Sequence, residues 1–206
     1  MTVFPQNKGA FARLLPACGA ILLGLVLAAC VPESNNPVGD PANAVHDSDL
    51  YGLWQADWED GRLFLHVFDA GQGMVDVYTI NHKKDGGGEA DHYQGFISTV
   101  GKRRIVNLQM ADSSGEDSGG AATYVFVAYQ MESPGKLAVH FIDDKVFIAA
   151  VAAGKLKGQV TGEGEGQTVL LSDDGPKIAD FIAQQDDATL YGKDILFRRI
   201  YPSASN

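Results

Sequence analysis

The chain predicts a mainly β domain: an antiparallel meander closing into a small barrel, with two short helices in its C-terminal half. Three observations carry that expectation. Apolar residues alternate with polar ones, or run together as short β-branched stretches, in one segment after another. Gly-rich or Asp-rich turns separate those segments. A sequential run of an even number of strands leaves two sheet edges, which a small meander commonly removes by closing on itself. An open sheet and a two-sheet sandwich remain as alternatives.

The elements follow in order. Gly52-Leu53-Trp54 opens the first strand, and Leu63, Leu65 and Val67 alternate with Phe64, His66 and Phe68 in the next. Ala70-Gly71-Gln72-Gly73 turns the chain into Met74 to Ile80, which Asp76 interrupts. Asp85 to Glu89 is the next turn, and Ile105 to Met110 sets Val106, Leu108 and Met110 against Asn107 and Gln109. After the polar stretch Asp112 to Gly120 come Tyr124 to Tyr129, the turn Ser133-Pro134-Gly135, and Leu137 to Ile142. Asp143-Asp144 can cap a helix from about Lys145 to Ala153, ended by Gly154, and Asp174 with Pro176 in the first turn starts another carrying Ile178, Phe181 and Ile182. Thr168 to Leu171 is a strand between them, and Asp194 to Ile200 closes the domain.

The N-terminus has a different character. Residues 1–13 carry Lys8 and Arg13 and no acidic residue, and an apolar run from Leu14 to Ala29 follows. A spanning helix wants roughly 20 apolar residues and a polar stop, whereas a secretory signal core is shorter and ends at small residues. Leu27-Ala28-Ala29-Cys30 resembles the bacterial lipobox. That resemblance implies cleavage between Ala29 and Cys30, acylation of Cys30 with palmitate-like chains, and a covalent membrane anchor that several chains make stable. Leu15-Pro16-Ala17-Cys18 looks similar, but almost no apolar core precedes it. Val31 stands where an Asp would resemble an inner-membrane retention signal, so the implied address is the outer membrane, facing the periplasm. The predicted organisation is a signal peptide at 1–29, the lipidated cysteine and a flexible Pro/Asn-rich tether at 30–49, one domain at 50–202, and a disordered tail at 203–206.

Gly52-Leu53-Trp54 in the first strand and Arg198 or Arg199 in the last resemble the calycin signature of lipocalin-like barrels. In that family the tryptophan plugs one barrel end and the arginine packs over its ring, a cation-π contact of about 1 kcal/mol. The resemblance implies a barrel-closing pair of Trp54 with Arg198 or Arg199 and a lumen able to hold an apolar ligand.

Composition narrows the chemistry. Loss of the signal removes two of the 16 basic residues and none of the 26 acidic ones, which leaves a balance of −12. Nucleic acid is not expected as a partner, because phosphate binding needs a basic surface. The chain has two cysteines, Cys18 leaving with the signal and Cys30 acylated, so thiol catalysis, disulfides and cysteine metal sites are not expected.

Catalytic motifs are equally sparse. Glu116-Asp117-Ser118-Gly119-Gly120 resembles the core around a serine-protease nucleophile but departs from it at both flanks. Gly162 to Gly166 lacks the Lys-Ser/Thr of a phosphate loop. His46, His66, His82, His92 and His140 show no metal-ligand spacing, although His66 and His140 could meet across strands with Asp69 or Asp143. Asp57, Glu59 and Asp60 lie together as a polar turn rather than in an enclosed carboxylate cleft. No catalytic residue, cofactor or metal is therefore assigned.

The functional expectation is a non-enzymatic, membrane-anchored envelope lipoprotein that binds an apolar ligand or an envelope partner. A structural or interaction lipoprotein with a filled core and a cell-envelope hydrolase are the alternatives. A dry cavity of about 300 Å³ or more is what separates ligand carriage from a filled core.

Overall fold

Antiparallel pairing of successive strands, interrupted by a few register shifts, turns the meander into a ring. The computed structural model describes residues 31–58, 61–111 and 123–201. The signal peptide at 1–29, Cys30, the polar loop 112–122 and the tail from 202 lie outside the described residues. The strands are β1 (Glu33–Ser34), β2 (Gly52–Trp58), β3 (Gly61–Gly71), β4 (Met74–Lys83), β5 (Gly88–Val100), β6 (Arg103–Met110), β7 (Tyr124–Ser133), β8 (Lys136–Ile142), β9 (Gly158–Thr161), β10 (Thr168–Leu171) and β11 (Tyr191–Tyr201). From β2 to β8 each strand pairs antiparallel with the next. β11 returns between β8 and β2, so eight antiparallel strands close a barrel. Closure leaves no barrel strand with an unpaired edge.

The sequence between β8 and β11 builds a second layer outside the barrel. It contains α1 (Asp144–Ala152), β9, β10, α2 (Gly175–Ala183) and α3 (Asp187–Leu190). Asp143 and Asp174 cap α1 and α2 by accepting from Lys145 N and Lys177 N, both at 2.9 Å. The third helix is a correction to the expected two. It is a single turn of four residues, too short to show an apolar period, and Asp186 caps it by accepting from Thr189 N at 2.8 Å.

Two apolar cores result. Trp54, Trp58, Leu63, Val67, Val77, Ile97, Val106, Val127, Val139 and Phe197 fill the lumen. Ile105, Phe126, Ala128 and Ile142 face outward from the same wall and are buried beneath Phe147, Leu171, Ile178, Ile182 and Leu190. This is why Tyr124 to Tyr129 is apolar at nearly every position: a strand covered on both faces has no polar side.

The stretch expected to be a flexible tether is fixed along the barrel instead, from residue 31 onward. β1 pairs antiparallel with β7 (Glu33 opposite Val125, Ser34 opposite Tyr124) and parallel with β10 (Glu33 opposite Leu170). Val38 is fully buried; its N–H donates to Asn107 Oδ1 at 2.6 Å, and Asn107 Nδ2 donates back to Val38 O at 3.0 Å. A Cβ on Gly175 would stand 2.2 Å from the Pro37 carbonyl oxygen, so a glycine there is what lets this strap lie flat. Farther on, Val45 N donates to Ile97 O at 2.8 Å, and Tyr129 Oη donates to Asp47 at 2.7 Å. Composition that looks like linker is here anchored at particular points: Pro32, Ser34 and Val38 are buried, Asn35 N donates to Leu171 O at 3.0 Å, and Asn36 Nδ2 donates to Asp173 O at 2.9 Å.

Candidate functional site

Trp54 and Arg199 meet at one end of the barrel. Trp54 is fully buried on β2, and its Nε1 donates to Leu50 O at 2.8 Å. Arg199 on β11 stands opposite Trp54 in register, with its guanidinium carbon 4.1 Å from the ring centroid. Its Nη1 donates to Tyr51 O at 2.7 Å and its Nη2 to Asp49 O. One arginine thus covers the indole and ties down the segment that enters β2. Arg198 points the other way and lies 3.7 Å from Asp57 on the surface. The period of 2 along β11 separates the two, and sequence alone could not choose between them.

A second tryptophan-cation pair stands at the opposite end of β2. Trp58 is buried, and Lys193 Nζ lies 3.6 Å from its ring centroid. The sequence reading passed over this contact, because Lys193 lies outside the strand expected to start at Asp194. The pair repeats the first on the same two strands, β2 and β11.

Between the two ends the lumen is nearly full. The remaining cavity is about 90 Å³, lined by Leu50, Leu65, Val77, Tyr93, Val127 and Phe141 among others, with Thr79, Tyr93 and Tyr129 as its polar members. Burial, and then Asp91, pushes the Tyr93 phenol up to about 12. Burial and the bond to Asp47 raise Tyr129 as well. Both phenols are neutral donors at ordinary pH, and no lining residue carries a charge. A pocket for a drug-sized or lipid-sized ligand measures roughly 300 to 1,000 Å³. This cavity falls well below that range.

The outside of the barrel differs from one side to the other. On β2, β3, β4 and β5 the register aligns Leu53, His66, Tyr78 and His92 across four strands, with Phe64 opposite Ile80 and Phe68 opposite Asp76. All these side chains face outward. Phe68 is 42% exposed, Tyr78 40% and Ile80 44%. The His66 and Phe68 rings lie 3.7 Å apart, Phe68 meets Tyr78 edge-on at 5.8 Å, and Tyr78 stacks on His92 at 4.1 Å with the planes 3° apart. His92 Nε2 is held by Asp76 at 3.0 Å. Burial lowers the pKa of His66, so that ring is neutral at ordinary pH. The result is a shallow, mostly apolar groove with ordered rings and a polar rim.

A polar groove lies on another part of the wall. His140 Nδ1 pairs with Asp194 at 2.7 Å, and its ring stacks on Tyr191 at 4.6 Å. Nearby, Arg103 donates to Ile182 O, Gln185 O and Asp187, and Lys102 donates to Asp187 at 2.8 Å. Arg103 is thereby committed to fastening the end of α2 and the start of α3. The groove supplies an oriented histidine but, among its lining residues, no serine or cysteine to act with it.

The other residues raised by the sequence fall apart in space. His66 on β3 and His140 on β8 are separated by β2 and β11. Among the described residues no group of three or more His, Cys, Asp or Glu side chains could hold a metal. Asp57 is exposed, and Glu59, Asp60 and the Glu116 to Gly120 motif lie outside the described residues. Gly162 to Gly166 forms the connection between β9 and β10. No described helix is long and apolar enough to cross a membrane. Comparison with known proteins finds no matching family model, no matching curated protein and no matching solved structure.

Proposed function

We propose that this chain is a non-enzymatic lipoprotein of the bacterial envelope, acylated at Cys30 and held at the outer membrane facing the periplasm. Its working surface, in this reading, is the outer wall of the barrel, and its partner is another protein of the envelope. The lipobox resemblance at Leu27 to Cys30 supports the address. The observation that carries the rest is a contrast: the lumen retains only about 90 Å³, while ordered aromatic rings stand exposed on β3 and β4. A contiguous apolar patch with a polar rim is the usual mark of a protein-binding surface.

Carriage of an apolar ligand within the barrel is the weaker reading. It rests on the calycin-like pairing of Trp54 with Arg199, and the cavity volume argues against any lipid-sized cargo. Native mass spectrometry of the protein extracted from membranes separates the two. The partner reading expects the mass of the acylated chain with no further lipid attached. A non-covalent lipid-sized adduct, removed when the lumen is filled by Val127→Trp, would overturn it.

A further inference from the structure

A carboxylate set in an apolar face dictates what can cover that face. Asp76 on β4 stands opposite Phe68 on β3 and two residues from Tyr78, and all three line the same outward groove. His92 Nε2 at 3.0 Å and Gln94 Nε2 at 3.1 Å both meet Asp76 Oδ1. They hold the carboxylate in place, while its Oδ2 takes no hydrogen bond from the described residues. Solvent reaches the side chain, which is 27% exposed. A partner that laid only apolar groups over it would strip that solvent and bury an unpaired charge, a strongly unfavourable step. Whatever seals this wall must therefore bring a donor, and a charged donor matches best.

The rings beside the carboxylate narrow the donor to a cation. His92 stacks on Tyr78 with the planes 3° apart, and the groove, which Tyr78 lines and His92 does not, runs on the β3 side of that ring beside Phe68. Aromatic faces carry the negative part of the ring quadrupole, so they and Asp76 attract the same sign of charge. The surrounding sequence adds to the field. From Leu63 to His82 and from Gly88 to Val100 there is no Lys or Arg, against Asp69, Asp76, Glu89 and Asp91. Arg62 and Lys83 stand at the far end of β3 and β4, roughly 20 Å along the strands from Phe68 and Asp76. We infer that this groove seats an arginine of the partner protein, its guanidinium against Tyr78 and Phe68 and donating to Asp76 Oδ2. A planar guanidinium stacks on rings and bonds a carboxylate at once, which a lysine ammonium does less well. Leu53, Phe64 and Ile80 continue the groove beyond the carboxylate and suit apolar residues flanking that arginine. The inference rests on the proposed partner-binding wall and supplies the chemistry of its anchor.

The test uses the full chain purified from cells in a neutral detergent, at about pH 8, where an ordinary imidazole is neutral. Two probes are titrated by saturation-transfer NMR: acetyl-Leu-Arg-Leu-amide and the same peptide with citrulline, which keeps the shape of arginine and removes its charge. The natural chain should bind the arginine peptide about tenfold more tightly. Asp76→Asn keeps an acceptor for His92 and Gln94, so it should bind the citrulline peptide as the natural chain does and lose most of the arginine preference. Asp194→Asn, on β11, should keep that preference. Equal binding of the two peptides, no binding of either, or a preference that survives Asp76→Asn overturns the anchor. A dimer that sedimentation finds in the natural chain and not in Phe68→Ser overturns it too, with a second copy in the groove. Failure of the wall itself reads differently. Benzoylphenylalanine in place of Phe64 should give a protein adduct in cells that Asp76→Asn reduces several-fold. An adduct that Asp76→Asn leaves unchanged removes the arginine and keeps the wall, whereas no adduct in either chain removes both.

Discussion

The β7 side and the β3 side of this barrel begin from similar sequence and end in different surroundings. Phe126 and Val127 are neighbours on β7, one facing out and one facing in, and both are buried. Leu63 and Val67 on β3 face the lumen and are buried, while Phe64, His66 and Phe68 face outward, and Phe68 remains 42% exposed. The difference is the segment from Asp143 to Leu190, which lays α1, β10 and α2 over the β7 side and, among the described residues, nothing over the β3 side. An exposed aromatic face does not stabilise the fold, and it is a liability for solubility. Its presence on one wall of a barrel whose interior is already filled is what supports the proposed partner-binding surface.

The largest effects should fall on the covered wall. Phe126→Ala should destabilise the barrel domain by about 3 to 5 kcal/mol, because it opens a cavity in a fully buried cluster. Phe68→Ala should leave stability within about 0.5 kcal/mol. Urea unfolding of the two variants checks both, and equal losses would erase the distinction between the walls.

Next comes the sealed barrel end. Arg199→Ala removes two charge-assisted bonds to carbonyls and the cover over Trp54, a loss of about 3 kcal/mol. Arg198→Ala removes an exposed contact at 3.7 Å and should cost less than about 0.5 kcal/mol in the same measurement. Asn107→Ala should follow at about 2 kcal/mol, since it strands the buried Val38 N–H and carbonyl. Hydrogen exchange should then rise between residues 35 and 45 and stay unchanged in β3 and β4.

Much of this architecture was legible in the sequence. Alternation and turns located most of the barrel strands, and the Asp caps placed α1 and α2, because those signals are local. The strap was not legible, because its order comes from partners far along the chain: Asn107, Leu171 and Asp173 hold residues that by composition look like linker. The bare wall was half visible. Apolar residues at both parities of Leu63 to Phe68 mean that two faces are apolar, but which wall the 143–190 segment covers is a matter of tertiary packing. Arg199 rather than Arg198 likewise follows from the β11 register.

The smallest expected effect concerns acid. The bonds from Lys102 and then Arg103 hold the Asp187 carboxyl below its ordinary value. A carboxylate lowered on folding stabilises the fold above its unfolded pKa of about 4, and that contribution fades as the pH falls through the lower folded value. Asp187 is nearly half exposed, so the effect is modest and weakens with salt. Urea midpoints measured between about pH 6 and pH 2 should fall less steeply in Asp187→Asn than in the natural chain.

The comparison of the two walls is tested most directly by photo-crosslinking in living cells, with benzoylphenylalanine placed at position 68 on the bare wall or at Lys145 on the outer side of the covering layer. The account predicts a discrete protein adduct from position 68, lost when Tyr78 and Ile80 are changed to serine, and none from position 145. No adduct from 68, or the same adduct from both positions, would contradict it.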